Sequence, residues 1–316
     1  MEINSIGVVI IVFHPNAKLL DSKLKQLGND VAVVIVDNTP NETINIEQTN
    51  ITYIPLHENT GIANAQNVGI GNLLKRGCTH IVFFDQDSDF TERYVRSIVG
   101  EYERITAFRK ELFILGPCVI NKTNGEEYRS VIHTDKKDDQ GFVEKREIIS
   151  SGSCVSVEKL NQVGVMDTRI FIDYVDFEHC WRADSKGFVC GITRNVTLSH
   201  KVGSRELHFP HGYRVIISAP FRYYYQYRNW LWLCRRNYVP IQWKLNTGVK
   251  LLLRILYFPF VVKGWFTIEK KQNMCKLVKV ELESFCQIGN GNWLVVQTFA
   301  MVLEIIGCNN NYPLGM

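Results

Sequence analysis

The sequence lacks the cysteine pairs that a disulfide framework or a structural zinc site would require. Its nine cysteines include no C-x-x-C pair, and several lie inside apolar runs. An odd number of cysteines without framework spacing indicates reduced thiols, so we expect a cytoplasmic protein. The start of the sequence has no basic and apolar leader, and the two most apolar late segments, 249–262 and 293–306, are interrupted by charged or polar residues. We therefore expect neither a signal peptide nor a membrane-spanning helix.

Two common glycine-rich phosphate-binding motifs are also missing. No G-x-G-x-x-G follows the first apolar run, and G-x-x-x-x-G-K-[ST] occurs nowhere. These absences argue against a dinucleotide-dependent oxidoreductase and against a P-loop protein. The net charge of +4 comes without a nucleic-acid-binding motif, so we expect no nucleic-acid partner.

Apolar, β-branched runs alternate with segments of helical periodicity in the first part of the chain. We predict buried strands over 7–13, 31–36 and 80–84, a further strand over 51–56, and helices over 19–27 and 61–74. This alternation favours an α/β fold with a Rossmann-like, mostly parallel, doubly wound sheet and helices on both faces. Further on, the polar segment 128–146 predicts a mobile loop over the ligand site, and 148–155 predicts a strand whose small residues let a ligand approach.

Polar residues follow three of the predicted strands where those strands leave the core. They are His14 after the first strand, Asp37 and Asn38 after the second, and Asp85 and Asp87 after the run 80–84. Ligands of doubly wound sheets bind at this edge. If the strand continues past residue 84, the two carboxylates point the same way, and Mg²⁺ or Mn²⁺, which also bind diphosphates, would offset their repulsion. An acidic turn without a ligand is the alternative.

Six segments spread over about the first two thirds of the chain carry a recognisable pattern. They are VIVDN (34–38), ENTGIANAQNVG (58–69), FDQDS (84–88), ISSGS (149–153), FIDYVDFEHCWR (171–182) and HKVGS (200–204). Together and in this order they resemble the family 2 glycosyltransferases with the GT-A fold, and more narrowly the bacterial rhamnosyltransferases that build surface polysaccharide.

The resemblance implies roles for particular residues. Asp37 would pair with the nucleotide base, Asp85 would face the nucleotide, and Asp87 and His200 would ligate Mg²⁺ or Mn²⁺. Asp176 would be the catalytic base, with Asp173 as a rival. The donor-binding set adds residues from the matching segments and from the end of the first strand: Phe13, His14, Asn38, Asn59, Gly61, Asn64, Gln86, Ser151 and Gly152. Each residue also has a purely structural interpretation as a turn, a helix start or a packing position.

The implied activity is that of an inverting, metal-dependent glycosyltransferase. The donor would be a nucleotide sugar, dTDP-L-rhamnose, and the acceptor a lipid-linked glycan at the inner face of a bacterial membrane. A sugar nucleotidylyltransferase is one alternative, but such an enzyme would be expected to carry an early glycine-rich loop with a basic residue, and residues 7–15 have none. A non-catalytic binding protein with the GT-A fold is the other alternative.

The character of the chain changes after residue 212. We predict a catalytic domain over 1–212 and a mainly helical appendage over 213–316. The stretch FRYYYQYRNWLWLCRR (221–236) interleaves arginine with aromatic residues. Such a surface either contacts a membrane peripherally or packs its aromatic side chains within the appendage or against a second subunit of an oligomer.

Overall fold

The computed structural model describes residues 6–41, 43–46, 50–121, 136–137, 140–200, 206–208, 214–216 and 220–261. Only the backbone is described for residues 121, 136–137, 200, 206–208, 214–216, 220 and 255–261. The chain divides into two compact units, Met1–Ser218 and Ala219–Met316, and each is described by itself.

The first unit alternates strands and helices. In chain order its elements are β1 (Ile6–Val12), α1 (Ala17–Leu24, continued by a 3₁₀ turn at Lys25–Leu27), β2 (Ala32–Asp37), β3 (Ile51–Pro55), α2 (Ile62–Lys75), β4 (His80–Asp85), α3 (Glu92–Thr106), β5 (Leu112–Asn121), β6 (Lys136–Lys137), β7 (Phe142–Lys145), β8 (Cys154–Ser156), α4 (Val157–Val163), α5 (Val175–Asp184), β9 (Val189–His200), β10 (Glu206–His208) and β11 (Arg214–Ile216).

Within the described residues, nine strands form one mixed sheet in the order β3-β2-β1-β4-β8-β5-β9-β7-β6. The first four strands in this order are parallel to one another, whereas β8 is antiparallel to both β4 and β5. From β1 the chain adds β2 and β3 on one side and then crosses over to add β4 on the other side, so the strand order reverses between β1 and β4. At such a switch point a doubly wound sheet opens a crevice for ligands.

Strand β1 shows why its sequence is a continuous apolar run. Side chains alternate between the two faces of a strand, so both sets must be covered to leave all seven residues buried. Val8 and Ile10 belong to a core cluster shared with α1 and α3. Val9 faces α2 so closely that a methyl group on Gly69 would lie 2.6 Å from its Cγ1. The predicted α/β fold with helices on both faces is confirmed.

Two predictions for the middle of the chain were wrong. Phe142–Lys145, predicted as part of a loop, is strand β7, which pairs antiparallel with β9 and buries Phe142 and Val143. Of the same predicted loop, residues 128–135, 138 and 139 lie outside the described residues. The predicted strand 148–155 is a turn that becomes β8 only at Cys154, because the amide of Ser153 donates back to the carbonyl of Ser150 at 2.9 Å.

The second unit contains an antiparallel pair of helices, α6 (Pro220–Cys234) and α7 (Ile241–Val261). Tyr223, Tyr227 and Trp230 are buried, and their spacing places them on one face of α6. The Tyr227 hydroxyl donates to the carbonyl of Leu251 at 2.7 Å, and the Trp230 indole donates to the carbonyl of Lys244 at 2.8 Å. Much of the aromatic stretch thus serves the packing of this pair. In the described part of the chain, no helix combines the length and apolarity needed to cross a membrane.

Candidate active site

Two aspartates end the strands on either side of β1. Val12 pairs with Asp37 on β2, and Ile11 pairs with Asp85 on β4. With about 5 Å between neighbouring strands, these two backbone positions lie about 10 Å apart at the switch point. The expectation that both residues lie at one edge of the sheet is therefore met by the backbone register.

Asp37 is 1% exposed and held by two donors. The amide of Thr39 donates to its Oδ1 at 2.8 Å, and the Tyr53 hydroxyl donates to its Oδ2 at 2.7 Å. Burial, and secondarily the neighbouring Asp37 carboxylate, raises the pKa of Tyr53 to about 12, so the phenol remains a proton donor. These partners fix the orientation of the carboxylate. Its contact with a nucleotide base stays a prediction.

The next residue connects strand β2 with the start of helix α2. The Asn38 side chain donates to the carbonyl of Gly61 at 3.1 Å and accepts from the amide of Thr60 at 3.1 Å. Asn59 accepts from the amide of Gly61 at 3.2 Å, and Asn64 donates to the Thr60 hydroxyl at 3.0 Å. The predicted donor-binding residues Asn38, Asn59, Gly61 and Asn64 thus form one network that shapes the crevice, whether or not they touch the donor.

Gly61 is required by a close approach between two loops. It has φ +86°, and a Cβ there would lie 2.6 Å from the carbonyl oxygen of Phe171. The amide of Ile62 donates to that carbonyl at 2.8 Å. The Phe171 loop ends with two consecutive left-handed residues, Asp173 (φ 64°) and Tyr174 (φ 67°). Such conformations cost about 1 to 3 kcal/mol each and are typical of functional sites.

Gln86 connects the end of β1 to the turn after β4 by two hydrogen bonds. Its side chain accepts from the amide of Phe13 at 2.8 Å and donates to the carbonyl of Phe13 at 3.1 Å. The neighbouring residue His14 has its amide bound to the Thr39 hydroxyl at 2.7 Å. The side chains of Phe13 and His14 are exposed at the rim, with their rings 4.4 Å apart. These three predicted donor-binding residues therefore border the crevice, and donor contact by them stays a prediction.

The acidic segment after β4 is a turn and not a continuing strand. The amide of Ser88 donates to the carbonyl of Asp85 at 3.1 Å, which closes the turn. The prediction that strand alternation aligns Asp85 with Asp87 was therefore wrong, because β4 ends at Asp85. Asp87 and Asp89 are exposed, whereas Asp85 is half-buried.

Lys23 of α1 binds the backbone of this acidic turn. Its ammonium donates to the carbonyls of Gln86 at 3.1 Å and Ser88 at 2.8 Å, and it lies 3.9 Å from a carboxylate oxygen of Asp89. The side chain is only 13% exposed, so its charge is weakly screened. Sequence reasoning missed Lys23, because nothing in a helical lysine signals contact with residues more than sixty positions away.

The serine-rich turn 150–153 lies against the acidic turn. The hydroxyl of Ser151 is 2.6 Å from the hydroxyl of Ser88 and accepts from the amide of Asp85 at 3.3 Å. Gly152 has φ +78°, and a Cβ on it would lie 2.5 Å from the Tyr94 hydroxyl. Both Ser151 and Gly152 are buried; Ser151 contacts the backbone of Asp85, and Gly152 bonds to Phe83 and Tyr94. Direct contact of either residue with a donor stays a prediction.

Asp176 is the second residue of helix α5, and its carboxyl group lies close enough to Asp85 to be affected by that charge. Burial above all, and secondarily the negative charge of Asp85, raise the pKa of Asp176 to about 6, against the lowering effect of the backbone donors of Phe177, Asp176 itself and Ser150. The amide of Phe177 donates to Oδ1 at 3.1 Å. A carboxylate with this pKa is ionised at neutral pH and accepts a proton more readily than an ordinary aspartate.

The rest of α5 is fixed by a buried ion pair. Arg182 meets Glu178 through two bonds of 2.9 and 3.1 Å and donates to the carbonyls of Val163 and Val165 at 2.8 and 2.7 Å. Glu178 is 1% exposed, so this carboxylate is structural and faces away from solvent. The two acidic residues of the first turn therefore have different surroundings, and Asp176 is the one that approaches the crevice.

The carboxylate oxygens of the acidic turn are suitable ligands for a divalent cation. Mg²⁺ and Mn²⁺ prefer oxygen ligands and are commonly held by one or two carboxylates together with substrate phosphates. Asp87 is exposed, and Asp85 is adjacent to it across the turn. His200 is the last residue of β9, but its side chain lies outside the described part of the structure. Among the described side chains, no group of three or more histidine, cysteine or acidic residues could hold a metal.

A separate hollow of about 780 Å³ lies at the opposite edge of the sheet, around the start of β4. Its lining includes Cys78, His80, Tyr102 and Glu103. None of the predicted site residues lines it, so the candidate active site is the crevice at the carboxyl ends of the strands.

The fold is that of the GT-A glycosyltransferases. The crystal structure of S. aureus TarS aligns with a TM-score of 0.52 and 11% identity over 88% of this chain and 49% of that one. A second structure, of S. aureus TarS 1-349 in complex with UDP-GlcNAc, aligns with a TM-score of 0.48 and 12% identity over 88% of this chain and 81% of that one. The chain spans about half the length of the longer TarS structure.

Sequence similarity gives the family. The dTDP-rhamnosyl transferase RfbF of Shigella flexneri is 33% identical over 254 residues, which are 75% of this chain and 82% of the relative. The chain therefore belongs to the family of bacterial rhamnosyltransferase-like glycosyltransferases that includes this relative, and it is a glycosyltransferase. No protein-family model matches the sequence.

Proposed function

We propose that this protein transfers L-rhamnose from dTDP-L-rhamnose to a glycan acceptor, with inversion at the anomeric carbon and with help from Mg²⁺ or Mn²⁺. The name of the Shigella flexneri relative supports the donor. The observation that carries the proposal is Asp176, whose pKa is raised to about 6 beside Asp85 at the switch point of the sheet.

Asp176 supplies the base that the reaction needs. Its ionised carboxylate takes the proton of the acceptor hydroxyl as the acceptor oxygen bonds to the anomeric carbon and the bond from that carbon to the diphosphate breaks. The leaving group is dTDP, and the proton ends on Asp176. A direct displacement inverts the anomeric centre, so a β-linked donor gives an α-rhamnoside. Asp173, the rival base, lies in the left-handed pair before α5, where it shapes the loop.

Asp87 and His200 would hold the cation that binds the donor diphosphate, and Asp85 would face the nucleotide. When bound, the ion offsets the negative charge that grows on the leaving diphosphate. Lys23 keeps the acidic turn folded by binding two of its carbonyls, so the exposed carboxylate of Asp87 is presented to the donor. Asp37, oriented by Tyr53 and Thr39, is proposed to recognise the base.

The acceptor is proposed to be lipid-linked, in the synthesis of a bacterial surface polysaccharide. Such an acceptor brings the enzyme to the inner face of the cytoplasmic membrane as a peripheral protein. The basic and aromatic sequence of α6 and α7 is compatible with such a location.

A donor screen tests this function. Thermal shift is measured for the wild type and for Asp87→Ala against dTDP-L-rhamnose, dTDP-glucose, UDP-GlcNAc and GDP-mannose, each with Mn²⁺ or with a chelator. We expect the largest stabilisation from dTDP-L-rhamnose with Mn²⁺, because ligands that bind only the folded state stabilise it. Asp89→Ala is the matched control, since Asp89 is an exposed carboxylate of the same turn.

Three results of this screen would contradict the proposal. Stronger stabilisation by another nucleotide sugar would show that dTDP-L-rhamnose is not the preferred donor. Equal stabilisation with chelator and with Mn²⁺ would contradict metal-dependent donor binding, and an equal loss of stabilisation in Asp87→Ala and Asp89→Ala would contradict a specific role of Asp87.

A further inference from the structure

Helix α7 carries a row of exposed apolar side chains. Ile241, Leu245, Val249 and Leu253 are 62%, 60%, 57% and 50% exposed. They recur every four residues, so the row extends about 18 Å along the helix. Elsewhere on the helix, Leu251 is fully buried. The helix therefore has one apolar side for packing and a second apolar row that faces outward.

Polar and basic residues border this row. Gln242, Asn246 and Lys250 form the adjacent row and are exposed. Residues 207–268 contain nine lysines and arginines and no aspartate or glutamate. An apolar row beside positive charge, with no acidic residue nearby in sequence, is complementary to a surface that is both apolar and anionic.

The spacing of the row differs from that of a left-handed coiled-coil seam. Each four-residue step turns the side chain about 40° around the helix axis, so the row covers an arc of about 120°. A left-handed coiled-coil seam instead requires steps that alternate between three and four residues and keep a narrow line. A wide arc fits a helix that lies in the plane of a bilayer with its apolar side chains between the headgroups.

We propose that α7 lies in the headgroup layer of an anionic phospholipid bilayer. The row Ile241, Leu245, Val249 and Leu253 enters the acyl boundary, and Lys250 contacts the phosphates. The inference deepens the proposed function and rests on it for its purpose, since a lipid-linked acceptor must be reached at such a surface. The binding itself requires neither donor nor acceptor.

Flotation of the full chain with vesicles tests the proposal. The vesicles consist of phosphatidylcholine with phosphatidylglycerol or of phosphatidylcholine alone. Leu245→Ser combined with Leu253→Ser should lower the partition coefficient about tenfold or more, because two large apolar side chains no longer leave water. The matched control, Gln242→Ser combined with Asn246→Ser, makes the same number of exposed changes on the adjacent row and should bind like the wild type. Lys250→Gln should lower binding about fivefold and weaken its salt dependence.

Several outcomes would overturn the proposal. They are wild-type protein that stays at the bottom at low salt, equal flotation with phosphatidylcholine alone, or equal loss in the leucine and control variants. A dimer in light scattering that Leu245→Ser with Leu253→Ser converts to a monomer, without any flotation of the wild type, would assign the row to a subunit interface instead. Melting curves check that the variants fold.

Transfer to a soluble acceptor separates this proposal from the proposed function. If the variant with Leu245→Ser and Leu253→Ser loses flotation but still transfers sugar to the soluble acceptor, the role of the row is confirmed and the catalytic proposal is unaffected. Wild-type flotation without transfer from any dTDP-sugar contradicts the proposed function alone.

Discussion

Replacing Asp176 by asparagine should abolish transfer and at the same time stabilise the folded protein. The asparagine keeps an oxygen that accepts from the amide of Phe177, now 3.1 Å from the carboxylate. It loses the negative charge that burial and the neighbouring Asp85 make costly. The substitution therefore removes the proposed base with little change in shape.

The size of the stability effect follows from the pKa. Burial raises the pKa of Asp176 from 3.8 to about 6, so the folded protein binds this proton more tightly than the unfolded chain does. The free energy of unfolding of the wild type should therefore fall as the pH rises between these two values, by about 3 kcal/mol in total. The asparagine side chain has no such proton to lose. The Asp176→Asn variant should match the wild type near the lower pH and exceed its stability by up to about 3 kcal/mol at neutral pH.

Denaturant unfolding and steady-state kinetics measure the two effects. The kcat of Asp176→Asn should fall by about 10² to 10⁴, with the donor KM nearly unchanged, and wild-type activity should be lost below about pH 6 as Asp176 takes up its proton. Asp184→Asn makes the same chemical change at an exposed position near the end of α5 and should keep wild-type turnover. The reasoning fails if Asp176→Asn turns over at a rate close to the wild type, or if its stability follows the wild-type pH dependence.

Two further substitutions test the supports of the site. Lys23→Met removes the donor to two carbonyls of the acidic turn, so we expect a loss of about 1 to 3 kcal/mol in the free energy of unfolding and a higher KM for Mn²⁺. Lys18→Met, at an exposed position of the same helix, is the control. An equal KM for Mn²⁺ in both variants would exclude a positioning role of Lys23. Gly61→Ala places a methyl group 2.6 Å from the Phe171 carbonyl oxygen at a residue with φ +86°. We therefore expect a lower melting temperature and a smaller thermal shift on donor binding. An unchanged melting curve would contradict the close approach.

The sequence predicts the centre of the sheet well, because burial on both faces leaves a strong signal. Strands β1, β2 and β4 are nearly continuous apolar runs, and each leads into polar residues at the edge where ligands bind. The periodicity of α2 is equally clear, since it packs on two of these strands. Motif resemblance adds Asp176, which no periodicity would separate from Glu178.

The remaining features depend on contacts between distant residues, which leave no local pattern. Phe142 and Val143 form a short strand only because β9 lies beside them. The partners of Asp37 and of the acidic turn, Tyr53 and Lys23, come from elements whose own sequence fits ordinary packing. Strand alternation misplaced Asp87 because a turn begins where the sheet ends.

The ion pair between Glu178 and Arg182 has a consequence for the tolerance of α5 to insertions and deletions. Arg182 of this pair also donates to the carbonyls of Val163 and Val165, which fixes the rotation of the helix about its own axis, and Asp176 lies only two residues before Glu178. One residue added between Asp176 and Glu178 would turn the proposed catalytic base by about 100° while leaving the anchored half of the helix in place. Length variation among relatives should therefore be absent between these two positions and accumulate in the loops on either side of α5.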